Sequence, residues 1–186
     1  MNVTNLTHHF LIAMPQLDDP NFFHSATYLC DHSEDGAMGF IFNHPLELDL
    51  AAALEQMNIN TDIAALSKQP VYSGGPVEED RGFVLHRPVS HWESTLVVSD
   101  ALAITTSQDI LTSIAAGDGP KDYMVVLGYA GWGKGQLEQE LAENIWLSGP
   151  AELDVIFETP NEQRWEKSAL NIGVDINLLS GDSGHA

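Results

Sequence analysis

Val125 to Trp146 reads VVLGYAGWGKGQLEQELAENIW, and its interpretation decides the architecture. The apolar run Met124–Leu127 is strand-like. It is followed by Gly128, Gly131, Gly133 and Gly135, and then by Leu137 and Leu141 at helical spacing. The expected order is therefore strand, glycine loop and helix. Glycines at such a junction supply positive φ or allow another backbone to approach closely. Tyr129 and Trp132 carry enough apolar area to order the loop once buried. On the helix, Gln136, Glu140 and Asn144 recur every four residues and form a polar stripe. That stripe is either a solvated face or a set of side chains that hydrogen-bond loop backbone, such as the SGGP turn at Ser73–Pro76 or Asn43.

Toward the N-terminus, Phe10–Met14 reads as a buried strand closed by Pro15, and Asp19 before Pro20 caps a turn holding Phe22 and Phe23. Thr27–Asp31 and Ala37–Asn43 flank the polar turn HSEDG and predict a hairpin. Asp49 is the N-cap expected for a helix LAAALEQM. Val71 opens a strand that ends in the turn-forming stretch SGGPVEEDRG, and Phe83–His86, Thr95–Val98 and Ala101–Ile104 read as further short strands. Thr106 with Asp109 predicts a capped helix SQDILTSIAA closed by Gly117. Beyond the central stretch, Thr159, Pro160 and Glu162 predict the start of a helix carrying Trp165, Ala169 and Ile172 on one stripe, ending at Gly173. These elements interleave without repeat or linker. They predict an α+β fold with a mixed, largely antiparallel sheet and three or four helices, in one compact domain over residues 1–174 with room for a small lobe. Residues 175–186 are expected to fray.

The chain has 186 residues, a length at which about 70% of the unfolded surface can be buried. No apolar run approaches the roughly 18 residues of a membrane span. A single cysteine, Cys30, allows no intrachain disulfide, and the N-terminal run FLIAM is too short for a secretory core, so a cytoplasmic location is expected. Twenty-seven acids against seven bases give a net charge of −20, which disfavours direct contact with DNA or RNA. Such an excess serves solubility, or it forms an acidic face for a basic partner.

Chemistry-bearing motifs are scarce. GYAGWGKGQ has neither the dinucleotide fingerprint nor a P-loop ending, and Glu138, Glu140 and Glu143 would oppose a phosphate chain. His24, Cys30 and His32 match no metal-ligand spacing, so neither metal nor cofactor is expected. Cys30 reads as a small core residue. Ser25, Ser73, His44 and His86 lie near strand ends, but no serine has a nucleophile setting.

Four blocks together carry a resemblance: FLIAMPQLDDPNFFHSATYLCDHSEDGAMGFIFNHP, SGGPVEEDRGFVLH, GYAGWGKGQLEQELAENIW and ETPNEQRWEKSALNIGVD. They resemble the AlgH/YqgE family of bacterial proteins, in family order, from Phe10 to about Asp175. The resemblance implies a cytoplasmic α+β protein without an established activity or cofactor. Some members are described as regulators of transcription linked to alginate production. The charge of this chain speaks against direct DNA contact. The positions that carry over are mostly Gly, Pro, aromatic and amide residues, which hold loops rather than break bonds.

The expected functional surface gathers Asn43, Gly74, Gly75, Pro76, Arg81, Gly131, Trp132, Gln136, Glu140 and Asn144. The expectation is a binding or interaction protein for a protein partner or small ligand, acting as monomer or homodimer. The alternative is a hydrolase or small-ligand enzyme using His44 or His86 beside a polar cleft near Asn43, Gly75 and Trp132.

Overall fold

The structure is a computed structural model and describes residues 5–179. Its organising element is β9 (Asp122–Trp132), which joins two half-sheets. One half contains β1 (His9–Ala13), β2 (Ala26–Ser33), β3 (Gly36–Ile41) and β10 (Trp146–Pro150). The other contains β4 (Pro45–Asp49), β5 (Pro70–Ser73), β6 (Val77–Arg87), β7 (Thr95–Val97) and β8 (Ala103–Thr105). The strand order is β10-β1-β2-β3-β9-β6-β8-β7, with β4 paired to β5. All pairings are antiparallel except β5 with β9, where Tyr72 lies opposite Val126. The sheet is thus mixed and largely antiparallel, and the fold is α+β.

The expected glycine loop is a strand as far as Trp132. Met38 pairs with Gly131 and Gly39 with Ala130, while Val125 and Val126 pair with Val84 and Phe83 of β6. The reason is tertiary: a glycine interrupts a strand only when no neighbour supplies the ladder, and here β3 and β6 both do. Gly128, with φ +77°, marks the point where β9 passes from one half-sheet to the other. Only Gly133–Gly135 forms a turn, before α3 (Gln136–Ala142).

The β2–β3 hairpin forms as the turn residues predict, and Asp49 caps α1 (Leu50–Gln56) by accepting from the Ala52 N–H at 2.8 Å. α2 (Gln108–Ala116) begins one residue later than expected, with Ser107 at the N-cap, and ends at left-handed Gly117. The stretch SGGPVEEDRG is only partly a turn, because Val77–Gly82 extends β6 across a register shift. β4, β10 and α4 (Leu153–Phe157) were not anticipated.

The last helix departs most from its expected form. A 3-10 turn at Asn161–Gln163 precedes α5 (Arg164–Leu170), and Thr159 makes no cap. Its hydroxyl instead donates to the Asp154 carbonyl at 3.4 Å. The core also extends past residue 174: a 3-10 turn at Ile176–Leu178 buries Ile176, with Asp175 accepting from the Asn177 N–H. Of the tail expected to fray, residues 180–186 lie outside the described residues.

Alternation along the strands distributes three cores. Phe10, Ile12, Tyr28, Phe40, Phe42, Leu85 and Val126 meet α4 and α5 in the largest. Val71, Val84 and Val125 pack under α1 and α2. Leu11, Leu29 and Trp132 pack under α3 with Leu137 and Trp146. Each fully buried Leu, Ile or Phe contributes about 1.5 to 3 kcal/mol, so the three clusters fix the curl of the sheet.

Candidate functional site

The ten expected site residues fall into three places. The Gly74–Pro76 turn packs backbone to backbone on β9. A Cβ on Gly75, whose φ is +151°, would lie 2.3 Å from the Tyr129 carbonyl oxygen, and one on Gly74 would lie 2.4 Å from that of Gly128. The Gly74 N–H donates to the Leu127 carbonyl, and the Ile41 N–H donates to that of Gly74. Only glycines allow this approach. Asn43 closes the ends of β2 and β3, accepting from the Ala26 N–H and donating to the His24 carbonyl, both at 2.9 Å.

The second place is an aromatic hub. Trp132, Trp146 and Phe22 pack with ring centroids 5.5 to 6.1 Å apart. Both indole N–H groups donate to Glu140 Oε1, at 3.1 and 2.9 Å. Glu140 Oε2 accepts from Gln136 Nε2 at 3.0 Å, and Gln136 Oε1 accepts from the Gly133 N–H at 2.9 Å. Two members of the polar stripe therefore hold the turn before their own helix, not the SGGP turn or Asn43. Asn144 is not a third spoke. Its φ of +59° places it in the left-handed position after α3, where the Ile145 N–H donates to the Glu140 carbonyl and the Asn144 N–H to that of Leu141. Glu138, midway between Gln136 and Glu140 in sequence, accepts at 2.6 Å from His32 Nε2. The Leu6 N–H donates to Nδ1 of the same ring, which assigns the proton to Nε2. The His32 bond holds the Glu138 carboxyl below its usual range.

The third place is a cleft, and Arg81 is the one expected residue that lines it. Its guanidinium lies 5.1 Å over the Phe83 ring and 3.3 Å from Glu78, with both partners of the ion pair half exposed. The cleft holds about 420 Å³ between Met38 and Phe40 on one side and Phe83, Ile104 and Leu96 on the other. Cys30 lines it as an inert group: burial, with the Asp31 charge behind it, pushes its thiol up to about 12, and Sγ donates to the Met38 carbonyl. β7 forms the outer wall as a terminal strand, paired among the described residues with β8 alone, and Leu96 and Val97 on it are 56% and 43% exposed. Glu78, Glu79 and Asp80 stand exposed in succession on β6: Glu78 pairs with Arg81 of this cleft, whereas Asp80 lines a second cleft with Gly82 and Val84. Sequence reasoning missed this cleft because Phe40, Phe83 and Leu96 come from three strands. The signal it did hold was the acidic run EED beside an apolar strand.

The histidines of the alternative reading are engaged elsewhere. His86 is fully buried, with Nε2 2.8 Å from the Thr105 hydroxyl and Nδ1 3.3 Å from the Pro88 carbonyl. A ring nitrogen facing a carbonyl must donate, so in the neutral ring that burial favours Nε2 accepts from Thr105. Burial lowers its pKa, and the Pro88 carbonyl opposes that in part. His44 reaches the Phe23 carbonyl at 3.1 Å and is also lowered by burial.

A family model described as AlgH-like matches residues 10–177. The chain belongs to the AlgH-like family. It is 56% identical over 183 residues to a UPF0301 protein of Thioalkalivibrio sulfidiphilus, covering 98% of each chain. It is 53% identical over 178 residues to one of Nitrosococcus oceani, covering 96% and 95%. Its structure is similar to the solution structure of AlgH from Pseudomonas aeruginosa, with a TM-score of 0.80 and 48% identity over 100% of this chain and 98% of that one. The crystal structure of DIP2367 from Corynebacterium diphtheriae shares the fold at a TM-score of 0.75 and 18% identity, covering 96% and 93%. Among the described residues of this AlgH-like chain, no helix is long and apolar enough to cross a membrane.

Proposed function

We propose that this AlgH-like protein is a non-catalytic interaction protein that takes an extended, basic and apolar segment of a protein partner along the cleft beside β7. The observation that carries the reading is a terminal strand with exposed apolar side chains walling a cleft whose residue Arg81 is paired with exposed Glu78. A free edge offers backbone donors and acceptors to an added strand. Apolar side chains of the segment enter between Phe40, Phe83 and Ile104, and its basic side chains meet Glu78 and are drawn by the wider field of Glu79 and Asp80. Of the residues expected to bind, Arg81 contributes to the mouth of the cleft. Asn43, Gly74, Gly75, Pro76, Gly131, Trp132, Gln136, Glu140 and Asn144 support the frame that presents it. A regulatory role in the cytoplasm, through a protein rather than through DNA, is compatible with the charge.

The test is fluorescence anisotropy with a synthetic peptide that alternates lysine and valine, against its glutamate-valine counterpart. The lysine peptide should bind and weaken with salt, the acidic one should not, and reversal of Glu78, Glu79 and Asp80 to Lys should invert the preference. Equal binding of both peptides by wild type and variant overturns the reading. A hydrolytic reading finds one observation in its favour, the hydroxyl chain from Thr95 through Thr105 to His86, with 2.8 Å at each step. Thr95 Oγ1 accepts from the Trp92 N–H and lines the cleft. An ester hydrolysis abolished by His86→Ala in a folded variant would favour that reading.

A further inference from the structure

The seven basic residues of this acidic chain are not spent alike. Arg87 is surrounded by Asp122, Asp154 and Glu158 at 2.7, 2.8 and 3.5 Å, and Arg81 pairs with Glu78. Arg164 is the most buried of them, at 8% exposure, and no carboxylate pairs with it among the described residues. Its Nη1 donates to the Phe42 carbonyl at 2.7 Å and its Nε to the Thr159 carbonyl at 3.0 Å. The guanidinium lies 5.1 Å over the Tyr72 ring. These contacts fix the group and leave its charge uncompensated. Taking a charge out of water without a counter-charge is unfavourable, and carbonyl dipoles offset this only in part.

Arg164 also lines a cleft of about 220 Å³, together with Leu50 of α1 and Met124 of β9. Nη2 makes no hydrogen bond among the described residues and is not a buried orphan. Lys121 lines the same cleft and is likewise without an acidic partner there. Asp122 is the one carboxylate in its wall, and Arg87 already neutralises it at 2.7 Å. The remaining walls are aromatic and aliphatic: Tyr72, Tyr123, Met124, Phe157. The Tyr123 hydroxyl donates at 2.9 Å to Gln69, which also lines the cleft.

We propose that this cleft binds a small organic anion, whose carboxylate or phosphate oxygens meet Arg164 Nη2 and Lys121 while its apolar body lies against Tyr72 and Phe157. A guanidinium fixed by packing and backbone acceptors loses little entropy on binding an oxyanion. The volume admits one compact molecule and excludes a peptide. This site is separate from the β7 cleft, so each stands or falls alone.

The probes are benzoate and phenyl phosphate, with benzyl alcohol as the neutral analogue, followed by NMR of the full chain at low salt. Saturable shifts are expected at Tyr72, Met124 and Phe157 with both anions and not with the alcohol. Because Arg164→Ala removes a bolt between α5 and β3, Lys121→Glu carries the mutational test. It should weaken both anions about tenfold or more, while Lys167→Glu, the same charge change on an exposed residue outside the cleft, should leave affinity unchanged. No saturable shift, equal binding of the alcohol, or equal losses in the two lysine variants overturns the proposal.

Discussion

Replacing Glu140 with Gln keeps the side chain's size and breaks the logic of the hub. Oε1 continues to accept from the indoles of Trp132 and Trp146, but each bond becomes neutral, a loss of about 0.5 to 1 kcal/mol apiece. The new amide then faces Gln136 Nε2, donor against donor, where a 3.0 Å bond existed. Gln136 cannot turn over to rescue it without aiming its own amide at the Gly133 N–H. The sum is about 2 kcal/mol, which in a chain of this length lowers Tm by roughly 4 to 8 °C. Glu140→Ala goes further, because both indoles belong to nearly buried rings at 5% and 4% exposure. Two orphaned donors bring the loss to roughly 3 to 5 kcal/mol. Glu143→Gln is the control, since Glu143 accepts only from exposed Gln139 and should stay within about 0.5 kcal/mol of wild type. Urea midpoints of the three variants decide the matter. If Glu140→Gln matches Glu143→Gln, the hub is a surface network and not a structural hinge between β9, α3 and β10.

Other consequences are as direct. Gly75→Ala should cost more than about 3 kcal/mol by its clash with the Tyr129 backbone, whereas Gly131→Ala, whose nearest neighbour is Tyr129 Cε2 at 3.6 Å, should cost under about 1 kcal/mol in the same urea assay. Gln136→Ala should speed amide exchange at Gly133–Gly135 while Gly128–Trp132 stays protected by β3 and β6, and Glu138→Ala should loosen the contact with His32. Because the folded pKa of His86 is depressed, the unfolded imidazole gains its proton near 6.5 before the folded one does. Stability from this group is then complete above that pH and falls as pH drops toward the folded value, so His86→Gln should flatten the stability profile below about pH 6.5. Glu138 is depressed as well, so its contribution is present above about pH 4.5 and is lost on further acidification. Glu138→Gln should abolish that segment of the curve.

What was legible in the sequence was local. The turn HSEDG fixed the β2–β3 hairpin, Asp49 capped α1, and the glycines of β9 did permit close backbone approach, by the Gly74–Pro76 turn. What was not legible depended on partners far along the chain. Gly128–Trp132 looked like a loop because glycine weakens an isolated strand, although Val126, Gly128, Ala130 and Trp132 alternate as buried positions. β10 hid behind Gly149 and Pro150, which read as breakers, and β4 behind its exposed acids. Thr159 had the cap chemistry, but the chain needs its carbonyl for Arg164, and a 3-10 turn intervenes. The burial of Arg164 left no local signal, because it depends on the Phe42 carbonyl, 122 positions away, and on the Tyr72 ring. Of the expected site, Trp132, Gln136 and Glu140 bond to one another, Asn43 and Gly74 bond to neighbouring backbone, and Arg81 alone lines an open cleft.

The central claim is that the working surface is the β7 edge and its acidic neighbour, with the glycine and tryptophan elements as its frame. Amide hydrogen exchange, with and without the lysine-valine peptide, tests it most directly. The account predicts new protection at Thr95–Val97, where an added strand bonds to the free edge, and no change across Gly133–Asn144. Protection that appears around Trp132, Gln136 and Asn144 and leaves Thr95–Val97 untouched would contradict it.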